Sequence, residues 1–557
     1  MTPASEGSPT GESPRFFLCR IPTMPSAIII GSGPAAAAVA LALEKEPDWR
    51  ITVLDLGLEL EPGHRVVVER LASKSRDHWA QEDLLIVSAQ PAAAAKGEFP
   101  EKRTHGSDYP FRDVGQLSPM AVERGLADAL ISPAYGGFSS VWGAQVLPFP
   151  EQAFESWPIS RAELTSHYRS VLSAIPFSAA VDDLAEELPL HGIPRSPLPL
   201  SPRAADVACR YSRHRRTLKR MGLVLGQSRL AVRSDDCITC GLCMTGCPYS
   251  LIYSAADTFD ELRSRGRIDY HGGVVAVDIS ETASHAKVLA REIGTGREVS
   301  FDADRLFVGC GAIGTTRLVL ESLRRYAQDV VLQESALFTL PFLSIRSSGD
   351  PQVQSTHALG QLSALVTLPR SDVSPLHLQM YTYNPAFLDA LPEMLRSEFA
   401  RPLRTSSLSR LSVALGYLPS VMSPRLRVRL NAPTATYQRA PLVVTRDATS
   451  PDPRPILRAL AGRLLSFAPR LDLWPILPRL QLSAPGKSYH WGGSFPHAAS
   501  GASDFTTDRI GRLATWRRIH LVDAAVMPNL ASTSFTLTMM ANAHRIATES
   551  LSLESPA

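Results

Sequence analysis

Residues 26–36, which read Ser-Ala-Ile-Ile-Ile-Gly-Ser-Gly-Pro-Ala-Ala, decide the fold of this chain. The apolar run at 27–30 is typical of a buried parallel strand. A Gly-x-Gly-x-x-Ala pattern starts directly after it at Gly31, and an Ala- and Leu-rich helical pattern continues to about Glu46. This order of strand, glycine turn and helix predicts the first half of a βαβ unit that binds a dinucleotide.

Each small residue of the turn has a physical reason in such a unit. Gly31 allows the tight turn, Gly33 lets the backbone approach a pyrophosphate, and Ala36 lets the helix pack closely on the strand. The helix N terminus offers free N–H groups and a positive dipole to phosphates. A second apolar run at 51–54 ends at Asp55, where an acid can bind ribose hydroxyls. We therefore predict that these four residues bind a dinucleotide; the competing interpretation is a glycine turn in an ordinary α/β core.

The composition is that of a packed globular protein. Of the 557 residues, 44% are hydrophobic and 20% are charged, and the formal net charge is +3. These values exclude wholesale disorder and give no reason to expect a nucleic-acid partner. No apolar run approaches ~18 residues, so we expect no transmembrane segment. Residues 1–24 are expected to be a disordered tail without a targeting signal, and the protein is expected to be cytoplasmic.

Five further motifs follow one another along the chain. They are the glycine-rich stretch Tyr135–Gly143, Trp-Pro-Ile at 157–159, a strand–glycine–helix pattern at 306–315, His-Trp-Gly-Gly-Ser at 490–494, and Leu521–Met527 with Pro528 through Thr538. In order and spacing they resemble the glucose–methanol–choline (GMC) oxidoreductases, a family of FAD enzymes. The resemblance covers nearly the whole chain, although residues 331–485 carry little of it. Cys310 stands where the family usually has a small residue.

The resemblance implies an α/β fold, α+β overall. A Rossmann-like FAD-binding domain would be discontinuous in sequence, beside a substrate domain with an antiparallel sheet flanked by helices. The FAD-binding domain would comprise 25–155, 206–330 and 486–557, and the substrate domain 156–205 and 331–485.

The residues of the substrate region are compatible with such a sheet. The β-like runs are 337–345, 361–367, 376–383, 411–418, 426–430 and 441–445. Clusters of Pro, Ser, Gly and Asp separate them, and helical patterns lie near 386–400 and 454–467. These runs predict a large antiparallel sheet with helices on one side. The competing interpretation for runs such as 411–417 is a helix.

The catalytic residues are implied by the fourth and fifth motifs. In the resembled family the His of H-x-x-G acts as general base at the flavin, and here that residue is His490. An imidazole with a pKa near neutrality can take a hydroxyl proton while hydride leaves the carbon. The competing interpretation is a structural histidine at a domain seam.

A second family residue near the flavin, usually His or Asn, aligns with Ser534, and Phe535 replaces the usual Pro. Serine cannot act as a base at neutral pH, so we predict a supporting role for Ser534. A turn residue without catalytic weight is the competing interpretation.

The resemblance assigns further residues to the cofactor. They are Gly136, Gly137 and Gly143 of the first motif, Gly311 of the third, and Asp523 with Ala524 of the fifth. An acid beside a pyrophosphate is repulsive unless it accepts hydrogen bonds from ribityl hydroxyls or backbone N–H groups. For Asp523 the competing interpretation is therefore an N-cap of the segment that follows it.

Four of the seven cysteines lie between positions 237 and 247. They are Cys237, Cys240, Cys243 and Cys247, in the pattern C-x2-C-x2-C-x3-C-P. Bacterial ferredoxins have this spacing, and soft thiolates in one loop suit iron–sulfur or zinc. Because the fourth ferredoxin cysteine serves a second cluster, a single 4Fe–4S cluster here needs Cys247 in a changed loop, or a remote thiolate from Cys209 or Cys310. A 3Fe–4S cluster, a structural zinc and a metal-free loop with packed thiols are the alternatives.

We interpret the sequence as an FAD-dependent, GMC-type oxidoreductase that oxidises the CH–OH group of an alcohol, sugar, polyol or sterol-like substrate. An iron–sulfur cluster would pass electrons to an external acceptor such as a quinone, a cytochrome or a ferredoxin-like protein. That route favours a dehydrogenase over an oxidase. The alternatives are an FAD reductase or desaturase fed through the cluster, and a non-catalytic flavoprotein scaffold or subunit.

Overall fold

A computed structural model describes the following parts of the chain: 24–89, 102–115, 118–124, 126, 131–351, 354–369, 374–383, 400–434, 439–499 and 503–552. The expected tail and the helical pattern near 386–400 lie almost entirely outside these residues. Within the described residues, no helix has both the length and the apolar character that are needed to span a bilayer.

Strands and helices are numbered along the described chain. The strands are β1 (Ser26–Ile30), β2 (Arg50–Leu54), β3 (Met120–Val122), β4 (Leu223–Gln227), β5 (Asp269–His271), β6 (Val274–Glu281), β7 (Ala286–Glu292), β8 (Glu298–Ala303), β9 (Arg305–Val308), β10 (Asp329–Glu334), β11 (Leu337–Leu343), β12 (Leu362–Val366), β13 (Leu376–Tyr381), β14 (Leu411–Tyr417), β15 (Leu426–Leu430), β16 (Leu442–Arg446), β17 (Trp474–Pro475), β18 (Gln481–Leu482), β19 (Trp491–Gly492) and β20 (Ile519–Leu521). The helices are α1 (Pro34–Leu43), α2 (Pro62–Ala72), α3 (Gln81–Ser88), α4 (Arg161–Ala174), α5 (Leu184–Glu187), α6 (Pro202–Arg220), α7 (Ala255–Ser264), α8 (Ala312–Ser322), α9 (Arg401–Leu408), α10 (Arg454–Leu471) and α11 (Thr536–Leu551).

A parallel sheet in the order β20–β9–β1–β2–β5 contains the predicted βαβ unit. β1 pairs in parallel with β2, and α1 connects them with proline at its first position, where a missing N–H costs nothing. The Ala-rich α1 is buried along most of its length and packs against the C-terminal helix α11. Because three separated stretches of the chain supply the strands, the sheet is discontinuous in sequence, as the resemblance implied.

Two helix starts that the motifs predicted are present in the structure, and the first has a clear local cause. Ser160, directly after the Trp-Pro-Ile motif, accepts the N–H of Glu163 while the Glu163 carboxylate accepts the N–H of Ser160. This reciprocal capping box starts α4. In the strand–glycine–helix motif, β9 ends at Val308 and α8 begins at Ala312.

A second sheet has the order β17–β11–β14–β13–β12–β4, with β18 also paired to β11. Its neighbouring strands are antiparallel. Helices α6 and α10 pack on each other and cover one face with a separate apolar core. This arrangement confirms the predicted antiparallel sheet with helices on one side.

The predicted membership of that sheet was wrong for two runs. The runs at 426–430 and 441–445 form β15 and β16, which join a mixed sheet in the order β19–β10–β15–β16–β3. Alternation of apolar residues shows which face of a strand is buried, but it does not show which strand lies beside it. A three-stranded meander, β6–β7–β8, completes the described sheets.

Two glycines give opposite predictions for stability. A Cβ on Gly416 in β14 would lie 2.1 Å from the buried ring of Phe338, whereas a Cβ on Gly462 in α10 meets no atom within 4 Å. Overpacking should make Gly416→Ala less stable by about 1–3 kcal/mol. Gly462→Ala should be more stable by about 0.5–1 kcal/mol, because glycine is unfavourable inside a helix. Urea unfolding of both variants checks this, and equal shifts would contradict the packing described here.

Candidate functional site

A cavity of about 1080 Å³ is lined by both the parallel sheet and the antiparallel sheet. That volume lies slightly above the usual range for ligand pockets, roughly 300–1,000 Å³. The predicted site residues that line it are Gly31, Gly33, Asp55, Gly137, Gly143, Gly311, His490, Asp523, Ala524 and Ser534. The cavity therefore brings together residues from both ends of the chain.

The glycine turn forms one end of the cavity. Gly31 has φ +99°, and a Cβ there would lie 2.5 Å from the Gly309 carbonyl oxygen. Gly33 is different, because a Cβ there meets no atom within 4 Å and would project into open space. Gly137, also at positive φ, lies against Gly33, since a Cβ on Gly137 would be 3.2 Å from the Gly33 Cα. The bare backbone at this turn leaves room for a phosphate to reach the N terminus of α1.

Two predicted cofactor residues contribute to this end without lining the cavity. A Cβ on Gly309 would lie 3.5 Å from the Cβ of Ala36, so the small side chain of Ala36 lets α1 pack closely on the end of β9. The N–H of Gly136 donates to Ser32 Oγ at 2.9 Å. Both residues thus stabilise the glycine turn without lining the cavity.

Asp55 is a buried carboxyl at the C-terminal end of β2. Ser32 Oγ donates to its Oδ2 at 2.5 Å, and the Tyr270 hydroxyl donates to the same oxygen at 3.0 Å. Burial raises the pKa of Asp55 to about 7, and these hydrogen bonds oppose the rise. A carboxyl held in this way fits the predicted contact with ribose hydroxyls.

Asp523 combines the two interpretations given for it. Its Oδ1 accepts the N–H of Ala525 at 2.9 Å, so it caps the short 3-10 turn Ala524–Val526. Its Oδ2 accepts from the Thr315 hydroxyl, and the residue also lines the cavity near Gly311. Burial raises its pKa to about 6.

These features fit FAD. The open backbone at Gly33 suits a pyrophosphate, the buried Asp55 suits an adenosine ribose, and the cavity continues past Asp523 to His490. The glycine turn and the two acids would hold the nucleotide part of the cofactor. Bound FAD would supply hydride-accepting chemistry.

His490 is held between aromatic rings. Its imidazole stacks on Tyr417 with centroids 4.2 Å apart and an interplanar angle of 15°, and Phe535 meets it edge-on at 5.0 Å. Its Nδ1 is buried and makes no hydrogen bond to the described residues, while the residue lines the cavity. Burial lowers the pKa of His490 to about 3, so the ring is neutral at neutral pH.

A buried carboxylate fixes the segment that carries this histidine. Glu334 of β10 accepts the Gly486 N–H at 2.9 and 3.0 Å and the Ser488 N–H at 3.3 Å. The His490 carbonyl accepts from the N–H of Ser335 at 3.0 Å. The imidazole is thus positioned through main-chain contacts. No pattern in the sequence indicated Glu334, because its partners lie about 150 residues away.

The substrate-side wall comes from three strands of the antiparallel sheet. Its residues are Leu337 and Thr339 of β11, Gln379 and Tyr381 of β13, and Leu415 and Tyr417 of β14. They occupy alternate positions, so they share the face opposite the helices. Sequence reasoning did not identify these residues, although the period of two in each strand would have separated the faces.

The cysteine loop does not form a metal site in this structure. Among the described residues no group of three or more Cys, His, Asp or Glu side chains is placed to hold a metal ion. The four loop cysteines are free thiols. Cys243 is half-buried, the Ala358 N–H donates to its Sγ at 3.4 Å, and its desolvation raises its pKa to about 12. The structure thus gives no support to the predicted cluster, and the loop packs as small apolar side chains do.

No model of a known protein family matches the sequence, and no curated protein is detectably similar to it. Solved structures do match over nearly the whole chain. Pyridoxine 4-oxidase from Mesorbium loti has 14% identity and a TM-score of 0.59, covering 94% of this chain and 98% of that one. Formate oxidase has 14% identity and a TM-score of 0.58, covering 94% and 97%. A point variant of the formate oxidase from Aspergillus oryzae RIB40 has 14% identity, a TM-score of 0.56 and the same coverage.

At this level of identity the likeness establishes the fold alone. The chain has the α/β fold of these oxidases, a Rossmann-like parallel sheet joined to an antiparallel sheet. This confirms the fold class that the resemblance implied.

We predict that a substitution in the glycine turn weakens cofactor binding without affecting the fold. Gly33→Ala should fold normally, because its Cβ meets no protein atom within 4 Å. The added methyl would occupy the approach of the pyrophosphate, so FAD affinity should fall by about tenfold or more. Fluorescence titration with FAD measures this. Gly63→Ala, whose Cβ is equally unobstructed on α2, is the matched control; equal affinities of the two variants would contradict the assignment.

The raised pKa of Asp55 leads us to predict a specific dependence of stability on pH. Its folded-state pKa is raised from 3.8 to about 7, so between these values the folded state binds more protons than the unfolded state. The free energy of unfolding of the FAD-free protein should therefore fall as the pH rises through this window. Asp55→Asn should flatten that slope and be more stable than wild type above about pH 7. Urea unfolding across pH tests this, with the exposed Asp48→Asn as a control that keeps the wild-type slope.

Proposed function

We propose that this protein is an FAD-dependent oxidoreductase that oxidises a CH–OH group, with His490 as general base. One observation carries the proposal. A single cavity is lined both by the glycine turn at Gly31–Gly33, which suits a dinucleotide, and by the imidazole of His490. Cofactor and base can therefore meet the same small molecule.

The state of His490 supports its role as a base. Because burial keeps the ring neutral, a nitrogen lone pair is available to accept a hydroxyl proton. With Nδ1 enclosed, Nε2 is the nitrogen left to face the cavity. Negative charge developing in the cavity would favour the protonated ring and raise its pKa. Tyr417 and Phe535 keep the ring in one orientation.

Ser534 has a supporting role in this proposal. It is almost completely buried and lines the same cavity as His490. A hydroxyl both donates and accepts hydrogen bonds, so Ser534 can orient a substrate hydroxyl without acting as the base.

The substrate we propose is an uncharged alcohol. The wall built by Thr339, Gln379, Tyr381 and Tyr417 offers hydrogen bonds and aromatic surface but no formal charge. Lysine and arginine side chains also line the cavity, among them Lys487 three positions before His490, but none of them belongs to the three strands of this wall. An uncharged wall favours a neutral alcohol, as the name of pyridoxine 4-oxidase indicates for that protein, over a carboxylate such as formate.

An anaerobic assay tests this function. FAD-loaded protein is mixed with a panel of neutral primary and secondary alcohols, and flavin bleaching is followed. His490→Asn should slow reduction by about 100- to 10,000-fold at unchanged flavin content. The matched control is His497→Asn, which replaces another buried histidine of lowered pKa that does not line the cavity. Wild-type reduction rates in His490→Asn would contradict the proposal.

The electron acceptor is decided on the same sample. Iron and acid-labile sulfide are quantified beside flavin. About three or four iron atoms per chain would establish the cluster predicted from the cysteine spacing and favour a dehydrogenase. A flavoprotein without iron would make dioxygen the first acceptor to test.

A further inference from the structure

We propose that His377 is a positioning residue for the base: it accepts a hydrogen bond from Nδ1–H of His490 and so leaves Nε2 free to take the substrate proton. This inference rests on the proposed function and adds a second imidazole to its site. No motif in the sequence pointed to His377.

The alternation of β13 places His377 on the cavity side of the sheet. Leu376 and Leu378 pack into the apolar core beneath α6 and α10. The residues between them must face the other way, and Gln379 and Tyr381 do line the cavity. His377 shares their face.

The neighbours of His377 are the parts that hold His490. Directly opposite it in β14 is Tyr417, the residue on which the His490 ring stacks. From the C-terminal side, the Ser532 hydroxyl donates to the Pro375 carbonyl at 2.7 Å, so the loop leading to Ser534 crosses the start of β13. His377 therefore lies between Tyr417 and the loop that leads to Ser534.

Each imidazole lacks what the other can provide. His377 has no solvent exposure, and the main chain of Ser532 lies near enough to its ring to oppose the lowering of its pKa. That contact does not have the geometry of a hydrogen bond, so neither ring nitrogen of His377, and not Nδ1 of His490, has a hydrogen-bond partner among the described residues. A histidine that uses Nε2 as a base carries its proton on Nδ1, and a buried N–H needs an acceptor. His377 lies close enough to His490 to contribute to the lowering of its pKa, because two charged rings would repel each other, and no carboxylate contributes to the pKa of either ring. The neutral His377 is thus a suitable acceptor.

The two rings are not hydrogen-bonded in this structure. Catalytic hydrogen bonds are often long without ligand and tighten in the substrate complex. The proton balance is simple: the substrate hydroxyl proton moves to Nε2 of His490, the Nδ1 proton stays on that ring, and His377 remains neutral. By accepting the hydrogen bond from Nδ1–H, the neutral His377 stabilises the imidazolium of His490.

Other titratable groups near the pair stay in one state. Burial raises the pKa values of Tyr417 and Tyr381, to about 12 for Tyr417, so both remain neutral below that pH. Glu334 is occupied by the N–H groups of Gly486 and Ser488. A change in the pH profile on replacing His377 would therefore report on the two imidazoles.

The test compares His377→Leu with His377→Gln in the FAD-loaded full chain. The leucine variant removes the acceptor at similar volume, whereas glutamine keeps one. With an alcohol that reduces wild type, His377→Leu should lower the limiting rate of flavin reduction by about tenfold or more, and the acid limb of its pH profile should move to lower pH. His377→Gln should stay within about threefold of wild type.

Two comparisons separate positioning from a structural effect. Adding His377→Leu to His490→Asn should cause no further loss, because the two residues act as one unit. His357→Leu, which replaces another buried histidine of lowered pKa that does not line the cavity, should leave rate and pH profile unchanged. Additive losses in the double variant would overturn the inference.

A spectroscopic readout keeps the test independent of turnover. In FAD-loaded protein labelled with 15N-histidine, and assigned by the signal missing from His490→Asn, His490 should carry its proton on Nδ1. A proton on Nε2 overturns the inference even if no tested alcohol reduces the flavin. Wild-type rates and an unchanged pH profile in His377→Leu overturn it while the proposed function stands. Failure of every alcohol with the correct tautomer counts against the proposed function instead.

Discussion

The rest of the molecule depends on one constraint, the close backbone contact between the residues that follow β1 and those that follow β9. Gly31 lies so close to the Gly309 carbonyl that no side chain fits between them, and Gly309 in turn packs against Ala36 and Val522. This contact joins stretches of the chain that are hundreds of residues apart. It also removes side chains from the place where a cavity must open, so folding and ligand space have the same cause.

Local rules predicted the parts of the structure that depend on neighbouring residues. The βαβ unit and the start of α8 after Gly311 follow from glycine turns and apolar runs. The run at 411–417 also fitted a helix, and only its pairing within the sheet makes it a strand. Pairing between distant strands was beyond these rules, which is why β15 and β16 were assigned to the wrong sheet. For the same reason Tyr417 and His377 were missed, since only the folded sheet brings them to His490. The cysteine loop shows the opposite limit: its spacing suggested a cluster, yet among the described residues its thiols are not placed for a metal.

The electrostatic character of the cavity follows from burial more than from ion pairs. Asp55 and Asp523 are enclosed, their partners are hydroxyl and N–H groups, and both have raised pKa values. Carboxyls that protonate this easily can lie beside a phosphate with little repulsion. His490 shows the same effect with the opposite sign, because burial removes its charge. A diphosphate-containing ligand would therefore meet acids that take up a proton more easily than exposed carboxyls do, and the base in the same cavity is uncharged.

The carboxylate of Glu334 has a consequence for how this protein can diverge. It holds the segment before His490 through the main-chain N–H groups of Gly486 and Ser488, together with the Ser488 side chain. Lys487 and Tyr489 line the cavity, and the main-chain N–H contacts with Glu334 do not depend on which side chains stand at these two positions. Descendants of this chain could exchange them, and so change which molecules the cavity admits, while the imidazole keeps its position.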